Sequence, residues 1–396
     1  MILYVSENLV ALNGVGQSGI DVLVALLEND KSVTVCTKEA NMILPNITHF
    51  SKNVPTLIDY CHKVPFQKGI KRTLPRRILQ YLKKRNNYQN FLSQIQNLYP
   101  HLCVINSLAS HKMWMSIRKN LATNPKSVLI VRESPRHFKQ PHPRSLEHVI
   151  GDIQNYSYLM FVSSHCRDEW AKLADLNGNK LLYIPNCCRE DLVEQLRVQN
   201  RLTIREKLGF PKNELVAVCV ASLQPRKGQD ILIDVFPEIL SIIPNLKLYL
   251  IGQTCYDKNW TNSLLNKIAS NDWGEHVEYL GPKENALEFI YGADVLVLPS
   301  RAEAMPRVIL EAMALGTPVI ASDVDGVSEL IENGKSGFLF SPTDTPSLVS
   351  AFHAWKNELN NIDCIIENAQ QKYWDNFSRK QQIQRYQQAV SYMLAN

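Results

Sequence analysis

Short apolar runs rich in β-branched residues alternate with helix-like segments along most of this chain, and that alternation constrains the fold more than any other feature. In the first half the runs are 2–6 (ILYVS), 32–37, 102–106 (LCVIN), 127–132, 158–163 and 181–184, with a helix over 17–29. They lack polar alternation, which marks parallel strands covered on both faces. Pro185-Asn186 closes this half, and the polar stretch 187–214 suits a linker plus a first helix. A second alternation follows. Strands are expected at 215–222, 246–251, 277–280, 294–298, 318–321 and 337–340. Helices are expected at about 228–240, 259–270, 284–291, 306–315, 325–333 and 345–357, with a long helical segment over 367–396. Two such series imply an α/β protein of two doubly wound units, with ligands at the carboxyl ends of the strands in the cleft between them. A length of 396 residues fits two domains. A hydrophobic content of 45% excludes a disordered chain, and no apolar run reaches the ~18 residues of a membrane span. The opening MILYVSENLV has no basic start and no cleavage site, so it reads as a first strand rather than a signal peptide. The nine cysteines form no CxxC pair, and several lie in strand-like runs (Cys36, Cys103, Cys219), as expected of buried, reduced thiols in a cytosolic protein.

The net charge of +5 hides an asymmetry. No acidic residue occurs between Asp59 and Glu133, whereas 60–132 carries fourteen Lys and Arg. Within it, 75–99 has helical apolar spacing (Ile78, Leu79, Leu82, Phe91, Leu92, Ile95). A basic amphipathic stretch can be a solvated face, lie on an anionic membrane surface or grip an anionic acceptor. Nucleic acid is not expected as a partner, because neither an aromatic RNA-recognition motif nor zinc-finger spacing occurs.

The segment 294–322 (DVLVLPSRAEAMPRVILEAMALGTPVIAS) carries the clearest chemistry. A strand ends at Pro299-Ser300, a short loop holds Glu303, and a helix is expected to open at Pro306, a favoured first helical position. Glu311 lies five residues further on, roughly 7–8 Å along the axis. That is about the length of a diphosphate, and the N–H groups of a helix start bind phosphate. Diphosphate at the helix start would then have a carboxylate on either side. Glu311 would accept from ribose hydroxyls and Glu303 from those of a sugar.

This Glu-x7-Glu segment and its flanks resemble the retaining two-Rossmann glycosyltransferases of glycosyltransferase family 4. The resemblance covers about 180–380. It is carried by YIPNCCRED (183–191), VAVCVASLQPRKGQDILIDVF (216–236), LYLIG (248–252), VEYLG (277–281), SELIENGKSGFLF (328–340) and YWDNFS (373–378), in family order. It implies a GT-B fold: a Rossmann-like acceptor-side domain over 1–188, braced by a C-terminal helix at 376–396, and a nucleotide-sugar donor domain over 189–375. It also implies transfer of a sugar from a UDP- or GDP-linked donor to an acceptor hydroxyl, with retention of anomeric configuration. Lys227 would meet the leaving diphosphate, and Glu303 would hold the sugar. The amides of Met305, Arg307 and Val308 would cradle phosphate. Ala221-Ser222 stands where the family often has Gly-Arg, so Arg226, Arg301 or the Ser222 hydroxyl would have to compensate. Pro306 replaces a common glycine.

Gly14-Val15-Gly16-Gln17-Ser18-Gly19 is a GxGxxG after a strand. Alone it would suggest a dinucleotide fold. In the family a glycine-rich loop here lines the cleft, which makes Gly14 and Gly16 candidate donor or acceptor contacts. Past the fifth strand the family often has a histidine. Arg132-Glu133 stands there, with His137 four residues on; Glu133 is a candidate to orient an acceptor hydroxyl, or to pair with its basic surroundings. Asp323-Val324-Asp325 looks like a metal-binding pair but falls at a family turn, so no metal or other cofactor is expected. The acceptor would be a sugar or lipid-linked saccharide in polysaccharide, glycolipid or other glycoconjugate synthesis. The protein would be cytoplasmic, or peripheral on the inner face of a membrane through 60–132. The competing readings are an epimerase or hydrolase of nucleotide sugars on the same fold, a non-catalytic relative binding polyanions or membranes, and an NAD-dependent enzyme.

Overall fold

The computed structural model describes residues 1–7, 9, 14–28, 32–37, 56–59, 87–139, 145–176, 180–254 and 257–396. Among them, seven parallel strands form a first sheet: β1 (Ile2–Ser6), β2 (Val33–Thr37), β3 (Thr56–Asp59), β4 (Leu102–Asn106), β5 (Lys126–Val131), β6 (Tyr158–Phe161) and β7 (Leu181–Tyr183). Their spatial order is β3-β2-β1-β4-β5-β6-β7. A second parallel sheet holds β8 (Leu215–Val220), β9 (Leu246–Ile251), β10 (Val277–Gly281), β11 (Val295–Leu298), β12 (Val319–Ser322) and β13 (Phe338–Phe340), in the order β10-β9-β8-β11-β12-β13. Each order reverses beside its first strand, between β1 and β4 and between β8 and β11. Such a switch point opens a crevice at the carboxyl ends of the strands. In the second sheet β8 and β11 pair only through Val295↔Ala217 and Leu296↔Val218, although each strand runs two residues further. The loops that follow them are thereby parted.

Strand alternation divides the core. Val216, Val218, Leu296 and Leu298 join a buried cluster that runs through Met305, Leu310, Tyr373 and Tyr386 into the first sheet. Ala217, Cys219, Val295 and Val297 face a second cluster with Phe236, Phe352 and Trp355. The apolar continuity between the two sheets sets the loops of 299–306 against the first unit. Among the described residues, six cysteines are buried free thiols and Cys364 is an exposed one.

Several elements depart from the sequence expectation. Strand β3 was not foreseen, since TLID is short and only half apolar. The helix expected at 228–240 is two, Gln229–Asp234 and Phe236–Ile242, because Pro237 has no N–H to continue the ladder. The segment 367–396 likewise breaks into Ile362–Asn376 and Arg379–Ala395. At that break the Glu190 carboxylate accepts from Tyr373 Oη (2.8 Å) and from the Arg379 amide (2.6 Å), clamping both sides. The second of these helices packs on Gly14–Leu27, returning the chain to the first unit. The first helix starts at Gly14 and not at 17. Within the basic stretch, Lys63 to Arg85 lie outside the described residues. Over 87–96 the chain is helical, and Phe91 and Ile95 are buried in the core of the first unit, so that part of the apolar stripe is internal.

Candidate active site

The loop after β8 and the loop after β11 meet at the switch point of the second sheet. The turn Pro225–Lys227 ends at Gly228, whose φ of +68 is left-handed. A Cβ there would lie 1.9 Å from Pro299 O, so only glycine lets the two loops approach. Arg226 O accepts from Arg301 N (2.7 Å), and Arg226 Nη1 donates to Ala302 O (2.8 Å), which fixes the contact. Lys227 is thereby delivered to Glu303, with Nζ donating to Oε1. Ser300 Oγ donates to the same oxygen at 2.8 Å, and Arg226 Nη1 stands 3.5 Å from it. Glu303 is 7% exposed. Burial alone would raise its pKa, but the Lys227 and Arg226 cations and the Ser300 hydroxyl hold the carboxyl below the usual glutamate range. Burial draws Lys227 below the usual lysine range, with Arg226 adding repulsion and Glu303 opposing. One carboxylate facing two cations stays ionised, and the site keeps a surplus of positive charge.

The helix opens one residue later than the sequence suggested. Pro306 is extended (φ −74, ψ 118) and Arg307–Leu315 is helical. Ile309 N bonds back to Pro306 O. The amides of Arg307 and Val308 lead the helix, where no intrahelical carbonyl can reach them. Glu311, one turn on, lies 3.9 Å from Arg189 Nε. Burial raises its pKa, against the pull of Arg307 and Arg189. Met305 is anchored to the hinge: Asn186 Nδ2 donates to Met305 O (3.1 Å) and Asn186 N to Met305 Sδ (3.3 Å).

Of the candidates to replace the family arginine, Arg301 is committed elsewhere. It forms a bidentate pair with Asp230 (both 2.8 Å). Arg226 faces the site through Glu303. Ser222, at the carboxyl end of β8, accepts from Gln224 Nε2 (2.8 Å). Gly14 and Gly16 sit in the first turn of Gly14–Leu27, at the switch point of the first sheet. Glu133 Oε2 accepts from the Arg132 amide (3.0 Å), and His137 packs edge-on against Phe138. Arg132 is a fastener. Its guanidinium donates to Asn106 Oδ1 (3.1 and 3.0 Å), Asn186 Oδ1 (3.0 Å) and Ser18 O (3.1 Å).

Sequence reasoning missed the residues that join the two units. Arg307 Nη1 pairs with Asp21 (2.6 Å) and donates to Ser18 Oγ (3.1 Å). Asp325 faces groups of both units. Its Oδ2 accepts from Ser134 Oγ and from Glu303 N, both 2.8 Å, and Arg136 Nε stands 3.1 Å from Oδ1. His165, Glu169 and Asp325 bring ligand atoms within 4.8 Å of one another, where the Arg136 guanidinium already supplies a cation. Glu329 accepts from Ser163 Oγ (2.7 Å), His165 N (2.7 Å) and Tyr183 Oη (3.3 Å). In the sequence, Asp325 stood out only in the Asp323-Val324-Asp325 run and Glu329 only as part of the family-like segment 328–340; neither pattern pointed to a partner in the first unit.

Residues 200–372 match the model of the family glycosyl transferases group 1. A GDP-mannose-dependent monoacylated alpha-(1-6)-phosphatidylinositol monomannoside mannosyltransferase of Corynebacterium glutamicum is 32% identical over 159 residues, 38% of this chain and 40% of the relative. A D-inositol 3-phosphate glycosyltransferase of Nocardia farcinica is 29% identical over 222 residues, 54% of this chain and 48% of the relative. The chain thus spans less than half the length of either. Anabaena HepE, solved in complex with UDP-glucose, superposes with a TM-score of 0.77 at 20% identity, covering 98% of this chain and 99% of HepE. Sucrose-phosphate synthase of Thermosynechococcus elongatus does so with a TM-score of 0.75 at 17% identity, covering 100% and 99%. Two parallel Rossmann-like sheets, each with its own switch point, give this chain the GT-B fold, and its match to the glycosyl transferases group 1 model lies in the second unit, over residues 200–372.

Proposed function

We propose that this chain is a retaining glycosyltransferase that moves a sugar from a UDP- or GDP-linked donor to an acceptor hydroxyl. The reading rests on the convergence of Lys227, Glu303, the helix start at Arg307 and Glu311 at the second switch point. Diphosphate is a good leaving group, so the site needs positive charge on the departing oxygen more than it needs a proton donor. Lys227, Arg226 and the amides of Arg307 and Val308 supply that charge, and no step calls for a metal. On binding, the diphosphate competes with Glu303 for Lys227. Released from the lysine but still held by Ser300, Glu303 accepts from hydroxyls of the transferred sugar. Glu311 accepts from the ribose, and Arg189 keeps it in place. The Met305 carbonyl, tied to Asn186, transmits the hinge position to this loop. Exclusion of water by the two facing units protects the donor from hydrolysis. The same chemistry is consistent with the relatives' names, which specify GDP-mannose and inositol phosphate, and with the UDP-glucose bound to HepE.

In this reading the acceptor is a sugar or a lipid-linked saccharide met by the first unit, and Glu133 would orient it. The protein works in the cytoplasm or peripherally on an anionic membrane face through 60–132; among the described residues no helix is long and apolar enough to cross a membrane. Titration calorimetry with UDP, GDP and their sugar conjugates tests the donor assignment. One nucleoside diphosphate should bind, and Glu311→Ala should weaken it with the fold intact; equal affinity for the variant defeats the assignment. The anomeric configuration of the product, read by NMR, tests retention. Release of sugar without acceptor would instead mark a hydrolase or epimerase.

A further inference from the structure

A cavity of about 930 Å³ lies in the first unit, outside the cleft. It is a groove between the helices His111–Arg118 and Leu146–Ile153. From the first come His111, Lys112, Met115 and Ser116, with Lys119 just beyond its end; from the second come His148 and Asp152, with Ser145 at its start. Residues at these spacings share one helix face, so the two rows oppose each other. Tyr88, on the helix over 87–96, closes one side. The floor is fixed. His111, 7% exposed, bridges the helices through Asp152 Oδ1 (3.1 Å) while its Nδ1 meets Tyr156 Oη (2.9 Å).

The charge balance of the lining is specific. Asp152 is its one carboxylate and already faces His111. Lys112 and Lys119 are exposed and pair with no carboxylate among the described residues. The other described cations of 60–132 are engaged: Arg118 with Asn124 and Asn155, Lys126 with Met393 O, Arg132 inside the molecule. Among the described Lys and Arg of 60–132, Lys112 and Lys119 are thus the two with no described protein partner, and both line the groove. Serine and asparagine side chains add hydroxyl-binding capacity, and Tyr88 with Met115 adds a small apolar wall. A lipid tail would need a lining far more apolar than this. Cations, hydroxyl partners and one aromatic face together fit a sugar chain that carries carboxylate or sulfate groups.

We propose that this groove binds an anionic oligosaccharide. The two helices follow β4 and β5 of a parallel sheet, so their His111 and Ser145 ends lie on the side of the sheet where the strands' carboxyl ends open the cleft, and the groove leads away from that side. A chain whose terminal hydroxyl is in the cleft would lay its following units there. That the saccharide is an acceptor rests on the transferase reading; that it binds rests on the groove alone. Calorimetry on the full chain, with trigalacturonate and a heparin-derived tetrasaccharide as probes, tests it. Maltotriose is the neutral control and inorganic phosphate the charge-only control. At least one anionic probe should bind, with affinity falling as salt rises. The exposed Lys112→Ala/Lys119→Ala pair should lower it tenfold or more, and Ser116→Trp should block it by filling the groove. Binding of UDP or GDP should be unchanged in both variants, and thermal midpoints should match the parent. Binding by neither probe, equal affinity in the variants, or phosphate binding as tightly as the saccharides would overturn the proposal. A loss of nucleotide binding in the parent would instead defeat the donor assignment and leave this one standing.

Discussion

Lys227 is the residue on which the proposed reaction depends most. In the structure it pairs with Glu303; in the proposed turnover it would neutralise diphosphate instead. Lys227→Ala removes both functions, and turnover should fall by about 10²–10³-fold, the scale seen when one preorganised charge-stabilising group is lost. Steady-state kinetics checks this, and near-parent turnover would remove the residue from the mechanism. Glu311 behaves differently. Its folded pKa is raised, so its ionised form opposes folding at pH values above the unfolded one. The penalty is absent in acid, grows as pH rises past the unfolded glutamate value and is complete above the folded value. Glu311→Gln should therefore hold or raise the thermal midpoint at neutral pH while weakening nucleoside diphosphate binding about tenfold or more, as loss of a charged hydrogen-bond partner does. Differential scanning fluorimetry with and without ligand reads both. A fall in the unliganded midpoint would show that Arg189 and Arg307 outweigh desolvation.

At the scale of elements, the helix starts expected at Pro306 and at about 228 lie within a residue of those observed, Arg307 and Gln229, because glycine and proline are punctuation with steric causes, whereas the turn before Gly228 was not foreseen. Pro306 marked the helix start but stands just outside it. GxGxxG marked a helix start too, yet the glycines are in the helix and not before it. The break at Phe377-Ser378 had no such mark, since Glu190, nearly 190 residues earlier, holds it together. Gly228 gives the sharpest element-level test. Alanine there costs about 1–2 kcal/mol for handedness alone, before the clash with Pro299 O. Gly228→Ala should lower the thermal midpoint by several degrees and cut turnover with it, because the loops of β8 and β11 must part. By contrast Gly209, also at positive φ but with open space around its Cβ position, should lose only the handedness term on the same change. Equal losses at the two sites would mean that the Pro299 contact has no energetic weight.

The whole molecule is held by a seam that the sequence could not display, because its partners are far apart in the chain and each is an ordinary surface residue type. Asp21 with Arg307, Ser134 and Arg136 with Asp325, and Ser163, His165 and Tyr183 with Glu329 each join one unit to the other. Glu329 is the clearest case. Its carboxylate meets the start of helix Ser164–Ala174, where backbone N–H groups favour an anion. It accepts three hydrogen bonds across the seam and makes no contribution to either sheet. Glu329→Ala should leave each unit folded, with unchanged far-UV circular dichroism, but should loosen one against the other. The radius of gyration from small-angle scattering should rise, and KM for the donor should rise severalfold, since a competent closed arrangement would be less populated. Glu332→Ala, three residues on and ion-paired with Lys335 in its own loop rather than across the seam, should change neither quantity. If Glu329→Ala scatters like the parent and binds donor as well, the units are kept together by the continuous apolar cluster through Met305 and Tyr373, and the charged seam only sets their register.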